Sequence, residues 1–188
     1  MARSRRKPES ARRERDRDAP RSGAVEGAAG VHRTPEPLRS LSGLPSLDYA
    51  DHFTLRTDTA APPERWARAM FGDVPGPTER FIWRGLLGLR LSRGRSPDTV
   101  AGWRVAARGE DWIRLEAASW FLAGALVVLA PRGQVTLGTF LHYRRRPGRA
   151  IWPPLSAVHR RLAPGLLRDA EARIRTPRAS DEPDAAGS

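Results

Sequence analysis

Residues 134–167 read QVTLGTFLHYRRRPGRAIWPPLSAVHRRLAPGLL. The hydrophobic period changes inside this stretch. Up to Arg144 it is two. Val135, Leu137, Leu141 and Tyr143 share one face, and Thr136, Phe140, His142 and Arg144 share the other, as in a half-buried strand. After Pro147 and Gly148, Ile151, Leu155, Val158, Leu162 and Leu166 recur at steps of three and four, which is one face of a helix. Pro153 and Pro154 fit that helix's opening turn, and Pro164 with Gly165 is expected to kink or break it. The stretch is therefore a strand, an arginine-rich corner and a long C-terminal helix.

Upstream of it the period stays at two. In AGWRVAARG, residues 101–109, Trp103, Val105 and Ala107 oppose Arg104 and Arg108. In WIRLEA, Ile113 and Leu115 oppose Arg114 and Glu116, and Gly109, Glu110 and Asp111 supply the turn between the two runs. The run SWFLAGALVVLA, 119–130, is apolar on both phases and closes at Pro131, Arg132 and Gly133. A spanning helix needs about 20 apolar residues, so this run reads as a buried strand. Turns this short cannot carry parallel crossovers, and the four strands should form an antiparallel meander. Its apolar face needs a cover, which the C-terminal helix offers. With Ile113, Leu115, Val135, Leu137 and Leu141 facing that helix, Trp112, Phe140 and one phase of 119–130 face away. That phase is either Trp120, Leu122, Leu126 and Val128 or Phe121, Ala123, Val127 and Leu129. An apolar outer face of this size marks an interface, expected with a second copy or another protein.

The folded part is expected to begin near DYADHFTLRTD, 48–58, where Phe53 and Leu55 alternate with His52, Thr54 and Arg56. APPERWARAMFGD follows as a short helix, with prolines in its first turn, Trp66 and Met70 one turn apart and Gly72 as its stop. A second short helix is expected from Thr78, an N-cap, through a stripe of Phe81, Ile82, Leu86 and Leu89. Residues 92–99 read as a linker. Residues 1–46 carry few large apolar side chains and read as a disordered arginine-rich tail. Residues 47–175 form the single domain, and 176–188 a second tail.

The chain has 188 residues and a formal net charge of +12. That charge directs attention to polyanionic partners. Lys7 is the only lysine, however, and the abundance of Arg, Ala, Gly and Pro fits a GC-rich coding bias as well as a binding surface. There is no cysteine, which excludes disulfides, thiol nucleophiles and cysteine-ligated metals. The N-terminus has charge but no apolar core of a secretory signal. The reading is a bacterial, cytoplasmic protein with no membrane span.

Three segments carry a family resemblance: DYADHFTLR at 48–56, GWRVAARGEDWIRLE at 102–116, and YRRRPGRAIWPPLSAVHRRLAPGLL at 143–167. Over roughly residues 48–170 the chain resembles the bacterial domain-of-unknown-function family numbered 2867, within the START-like (polyketide cyclase, SRPBCC) helix-grip proteins. The family's Gly-Arg pair at a strand end looks like Gly148–Arg149, and its His-Arg pair on the final helix like His159–Arg160. The chain departs from the family pattern at Arg145, where a small polar residue is usual, and at Pro164. The resemblance implies an α+β helix-grip fold. A curved antiparallel sheet would wrap around a long C-terminal helix, with two short helices after the first strand and an apolar pocket within.

Catalytic constellations are thin. No HExxH-like spacing exists, and no metal or cofactor is expected. Glu110–Asp111 is a turn, and Asp51 reads as a partner of local backbone. Ser156 lies one helical turn from His159 but has no oxyanion hole or orienting acid beside it. His52 and His142 fall on outward phases, and His159 sits at the edge of the helix stripe. The reading is a non-catalytic domain holding a small apolar or amphipathic ligand between sheet and final helix. Trp66, Phe81, Trp103, Val105, Leu141, Leu155 and Val158 are the expected lining, with Arg149 or His159 orienting a polar end. The alternative is an interaction protein with a filled core. It would use the arginine-rich tail and corner (Arg144, Arg145, Arg146, Arg149) for nucleic acid or an acidic partner, together with the apolar outer face. A cyclase- or dehydratase-like activity would need a titratable group deep in the pocket.

Overall fold

The computed structural model describes residues 23–74, 76 and 81–176. Strands β1 (Val25–Ala29), β2 (Tyr49–Arg56), β3 (Thr99–Val100), β4 (Trp103–Arg108), β5 (Trp112–Ala118), β6 (Leu122–Leu129) and β7 (Gln134–Tyr143) form one antiparallel sheet in the order β1-β2-β7-β6-β5-β4-β3. The helices are α1 (Glu36–Ser40), α2 (Pro63–Phe71) and α3 (Arg146–Arg175). β4 to β7 are the expected meander. A bulge between Val105 and Ala107 breaks the pairing of β4 with β5 and bends the sheet there. α3 lies against β7, β2 and α2. A curved antiparallel sheet gripping one long C-terminal helix is the helix-grip architecture.

The inward phases of β2, β5, β6 and β7 meet α2 and α3 in one core. Leu55, Ile113, Leu115, Leu122, Val128, Val135 and Leu137 belong to it. Burying each such side chain is worth about 1.5–3 kcal/mol. Within β6 the two phases of the apolar run separate: Leu122, Leu126 and Val128 point to the helix, while Ala125 and Val127 point to the back of the sheet with Phe140 and Ala50; Phe121, ahead of the strand, joins the helix-side core.

That back face does not await a partner, which corrects the expectation of a dimer or protein interface there. Leu38 of α1, with Val31, Leu41, Leu44 and Leu47, packs over Ala50, Ala125, Val127 and Phe140. The same observation corrects the reading of 1–46 as a tail over its described part, residues 23–46. Residues 25–29 add an edge strand to β2, from Val25 opposite Leu55 to Ala29 opposite Asp51. This strand, VEGAA, is held by its backbone pairing, so it needs little of the hydrophobic pattern that marks other strands. Residues 1–22 and 177–188, and the proposed N-cap Thr78, lie outside the described residues.

Three local expectations change. Thr99, placed at the end of a linker, and Val100 after it pair with Arg104 and Trp103 as the short outermost strand. The expected second helix is a single wide turn over Phe81–Leu86. Its apolar phase is shifted, so that Phe81 and Leu86 are exposed and Leu87, Leu89 and Leu91 are buried; Gly88, with φ of +58°, turns the chain after it. Finally, α3 opens at Arg146 with Pro147 in its first turn and runs unbroken past Pro153, Pro154 and Pro164. Each interior proline removes one backbone donor. The carbonyls left without it belong to Arg149, Ala150 and Arg160, all exposed residues on the side of α3 away from the core, where solvent can take the place of the missing donor.

The buried side of α3 is also offset by one position from the apolar stripe. Trp152, Ser156, Ala163, Leu167, Ala170 and Ile174 are buried, whereas Val158 and Leu162 are exposed. Small side chains at 156, 163 and 170 let the helix approach its support. The larger stripe is turned toward an opening.

Leu38 is the anchor of the back layer. Leu38→Ala should cost about 2–5 kcal/mol in denaturant unfolding and increase binding of a dye for exposed apolar surface. An unchanged midpoint would show that the segment over the back face contributes nothing to the fold.

Candidate functional site

Between the sheet and α3 lies a cavity of about 390 Å³. Its floor comes from the inward phases of β6 and β7, including Leu122, Leu126, Leu137 and Leu141. One wall is aromatic: Phe71, Trp83 and Trp103. The other is α3, from Trp152 through Leu155, Val158, His159 and Leu162 to Leu166. Gly124 makes this arrangement fit. A Cβ there would meet Leu141 Cδ2 at 3.2 Å and the Trp103 ring at 3.3 Å, so the missing side chain lets the indole lie across β6. On α3, a Cβ added at Gly165 meets nothing within 4 Å.

The polar end of the cavity follows from strand register. β2 and β7 pair Asp51 with Thr139, and both are inward residues in otherwise apolar phases. α3 lays His159 on this pair. His159 Nε2 is 3.1 and 3.3 Å from the two carboxyl oxygens of Asp51 and 3.2 Å from Thr139 Oγ1. Asp51 is 0% exposed, and Tyr49 donates its hydroxyl to Oδ2 at 2.5 Å. A carboxyl group withdrawn from water is tolerable only when it accepts hydrogen bonds in this way. Rings fix the imidazole from two sides, with Phe53 edge-on at 6.2 Å and Trp152 tilted at 5.8 Å between centroids. Trp152 also meets Tyr49 edge-on at 5.2 Å. Facing two carboxyl oxygens, Nε2 is assigned as the protonated ring nitrogen.

Burial raises the Tyr49 hydroxyl well above the ordinary tyrosine range. The Asp51 carboxylate adds to this, and Arg160 opposes it. Tyr143, the chain's other tyrosine, is pushed up to about 12 by burial and by Asp48, against Arg149.

A second polar cluster sits at the end of β7. Ser46 Oγ is 2.9 Å and Asp48 Oδ2 3.3 Å from His142 Nδ1. A serine relay needs base and acid on opposite ring nitrogens; here both partners share one nitrogen, so no nucleophile is activated. Asp48 also accepts the Tyr143 backbone N–H at 2.7 Å and pins the strand end. Among the described residues, no three His, Asp or Glu side chains converge as a metal site requires.

Of the expected lining, Trp103, Leu141, Leu155, Val158 and His159 meet at the cavity. Four residues do not line it. Trp66 is consumed by the core beneath α2. Phe81 is 64% exposed on the wide turn. Val105, beside the bulge, packs against the core from the side. Arg149 is 72% exposed and lies 3.8 Å from Asp48, at the outer corner, because α3 begins earlier than its prolines suggest. Asp51, Thr139, Trp83 and Trp152 were not foreseen. A signal existed for the first two: each is a polar interruption of an apolar phase, Asp51 between Tyr49 and Phe53, Thr139 between Leu137 and Leu141.

No protein-family model and no curated protein matches the chain. Among solved structures, the crystal structure of Ara h 8.0201 aligns with 10% identity and a TM-score of 0.30, over 66% of this chain and 97% of that one. A superposition that loose carries no argument, so the fold rests on the strand order and the long helix. The resemblance to the family numbered 2867 gains no support from these comparisons.

The two tyrosines give a direct check. A free phenol ionises near pH 10, whereas both phenols here hold their protons beyond it. Their contribution to stability is complete below about pH 10 and is lost as pH rises through their folded values. Absorbance at the phenolate band should show no step near pH 10 while the protein stays folded; a full two-tyrosine step there would contradict the buried Tyr49–Asp51 contact.

Proposed function

We propose that this chain binds a small, largely apolar molecule in the cavity between sheet and α3, and that binding rather than catalysis is its role. The observation that carries the reading is an unfilled apolar space in a chain otherwise well able to pack. The cavity volume, about 390 Å³, falls in the range of roughly 300–1,000 Å³ usual for small-molecule sites. Its lining is mainly Leu, Trp, Phe and Met, with Thr139 and His159 as a polar end. The ligand's apolar body is desolvated against the floor and aromatic wall. Exposed Val158 and Leu162 lie at the mouth, where a ligand would cover them.

The binding reading also accounts for His159. Its Nε2 is committed to Asp51 and Thr139, an arrangement that fixes a ring in place. Membership in the family numbered 2867 belongs to the same proposal and is not needed by it. Among the described residues no helix is long and apolar enough to cross a membrane.

Gly165 provides a test that separates binding from folding. Gly165→Leu sends a side chain into the open space and replaces the poorest helix former short of proline, which costs a helix interior about 1 kcal/mol. The variant should keep or raise its melting temperature. It should lose the fluorescence enhancement that the neutral dye N-phenyl-1-naphthylamine shows with the parent protein. Undiminished dye binding by a folded Gly165→Leu variant would place binding elsewhere, and absence of dye binding by the parent would refute the reading.

A further inference from the structure

We infer that the cavity selects a neutral hydrophobic molecule bearing a hydrogen-bond acceptor, such as a ketone, ester or lactone, over an anion or an amine of the same size. This rests on the binding reading above and names the chemical class of the ligand.

The first observation is charge. The chain carries a net charge of +12, yet no arginine is among the described residues lining the cavity. Arg160, the nearest candidate on α3, donates to Ser156 Oγ at 3.0 Å and does not line it. The one ionisable pair at the polar end is His159 with Asp51. His159 Nε2 is taken up by the two Asp51 oxygens and Thr139, so the pair brings no spare positive group to the cavity. Asp169 adds a further carboxylate at the exposed side of the cavity. Within the lining an anion would meet only an imidazole already paired with Asp51, which does not repay the loss of its water.

The second observation is hydrogen-bond polarity. Asp51 orients the Nε2 proton of His159, and Thr139 Oγ1, 3.2 Å away, accepts from the same N–H. Among the described residues His159 is the one hydrogen-bond partner of Thr139 Oγ1, so the hydroxyl proton of this buried, cavity-lining side chain is free to be donated to a ligand. Trp103 and Trp152 also line the cavity. They are 4% and 6% exposed, and the indole N–H of each has no partner. An indole can only donate, and buried donors without partners are uncommon in folded proteins. The unpaired groups are therefore donors. They match a carbonyl or ether oxygen and offer nothing to an ammonium group, for which Asp169 at the exposed side is the only carboxylate among the described lining residues.

The test is displacement of N-phenyl-1-naphthylamine from the full chain at neutral pH by decan-2-one, decanoate and decylamine. Decan-2-one should displace the dye at concentrations about tenfold lower than either charged probe, the scale of one well-made hydrogen bond and an avoided buried charge. Thr139→Val, which keeps the shape and removes the donor, should weaken the ketone several-fold more than it weakens the dye. Equal or tighter binding of decanoate or decylamine would overturn the inference while leaving the cavity as the binding site. So would a Thr139→Val variant that weakens ketone and dye alike. If none of the three displaces bound dye, the inference falls; if the dye itself does not bind, the binding reading falls with it.

Discussion

The contact on which the interior depends is between His159 and Asp51. Asp51 is wholly withdrawn from water on β2, and its carboxyl group needs donors. Tyr49 supplies one from the same strand, and His159 supplies the other from α3 at 3.1 Å. Removing one partner of such a buried pair typically costs about 3–5 kcal/mol, because the other is left unpaired in a dry environment. The helix is thereby held at one height over the sheet. A stripe of leucines alone would not fix that height, since apolar contact is indifferent to a small slide or rotation.

The same constraint explains why the interior is not filled. His159 and Trp152 bind one part of α3 to β2, while Ala163, Leu167 and Ala170 bring the following turns close to the core. Between these attachments the larger stripe residues Leu155, Val158, Leu162 and Leu166 are turned partly away from the core. The cavity is the space that two fixed attachments leave open. It is bounded by Trp83 and Trp103, whose rings meet edge-on with centroids 5.6 Å apart. Rigid aromatics span such a gap without collapsing into it.

Much of this was legible from local pattern. The change of period in 134–167 identified β7 and α3, and the short turns identified an antiparallel meander. Trp66, Met70 and Gly72 delimited α2 correctly. What was not legible had one of two physical causes. Where backbone pairing does the holding, as in β1, or a strand is too short to show a period, as in β3, side chains carry little signal, and residues 25–29 read as tail. Where placement depends on relative rotation of two elements, one sequence position corresponds to about 100° on a helix; Leu155 and Val158 of the apolar stripe were read as pocket lining and border the cavity, but the neighbouring Trp152, Ser156 and Ala163, which carry α3's contact with its support, were not read from the stripe. Asp51 and Thr139 fall in a third class. Each was visible as an oddity in its strand, but their adjacency is a matter of register between strands some 85 residues apart, which no local period encodes.

The layer formed by residues 31–47 has a consequence for the order in which the chain assembles. This segment leaves the ribosome before every strand it covers. Its docking surface is built from Ala50 on β2, Ala125 and Val127 on β6 and Phe140 on β7, so it does not exist until the last strand is in place. Until then Leu38 and its neighbours have nowhere to settle, and the apolar back of the growing sheet is open to solvent and to other chains. A segment made before the strands it covers therefore cannot dock until they are assembled, and the interval between the two is one in which this fold is exposed to misassembly.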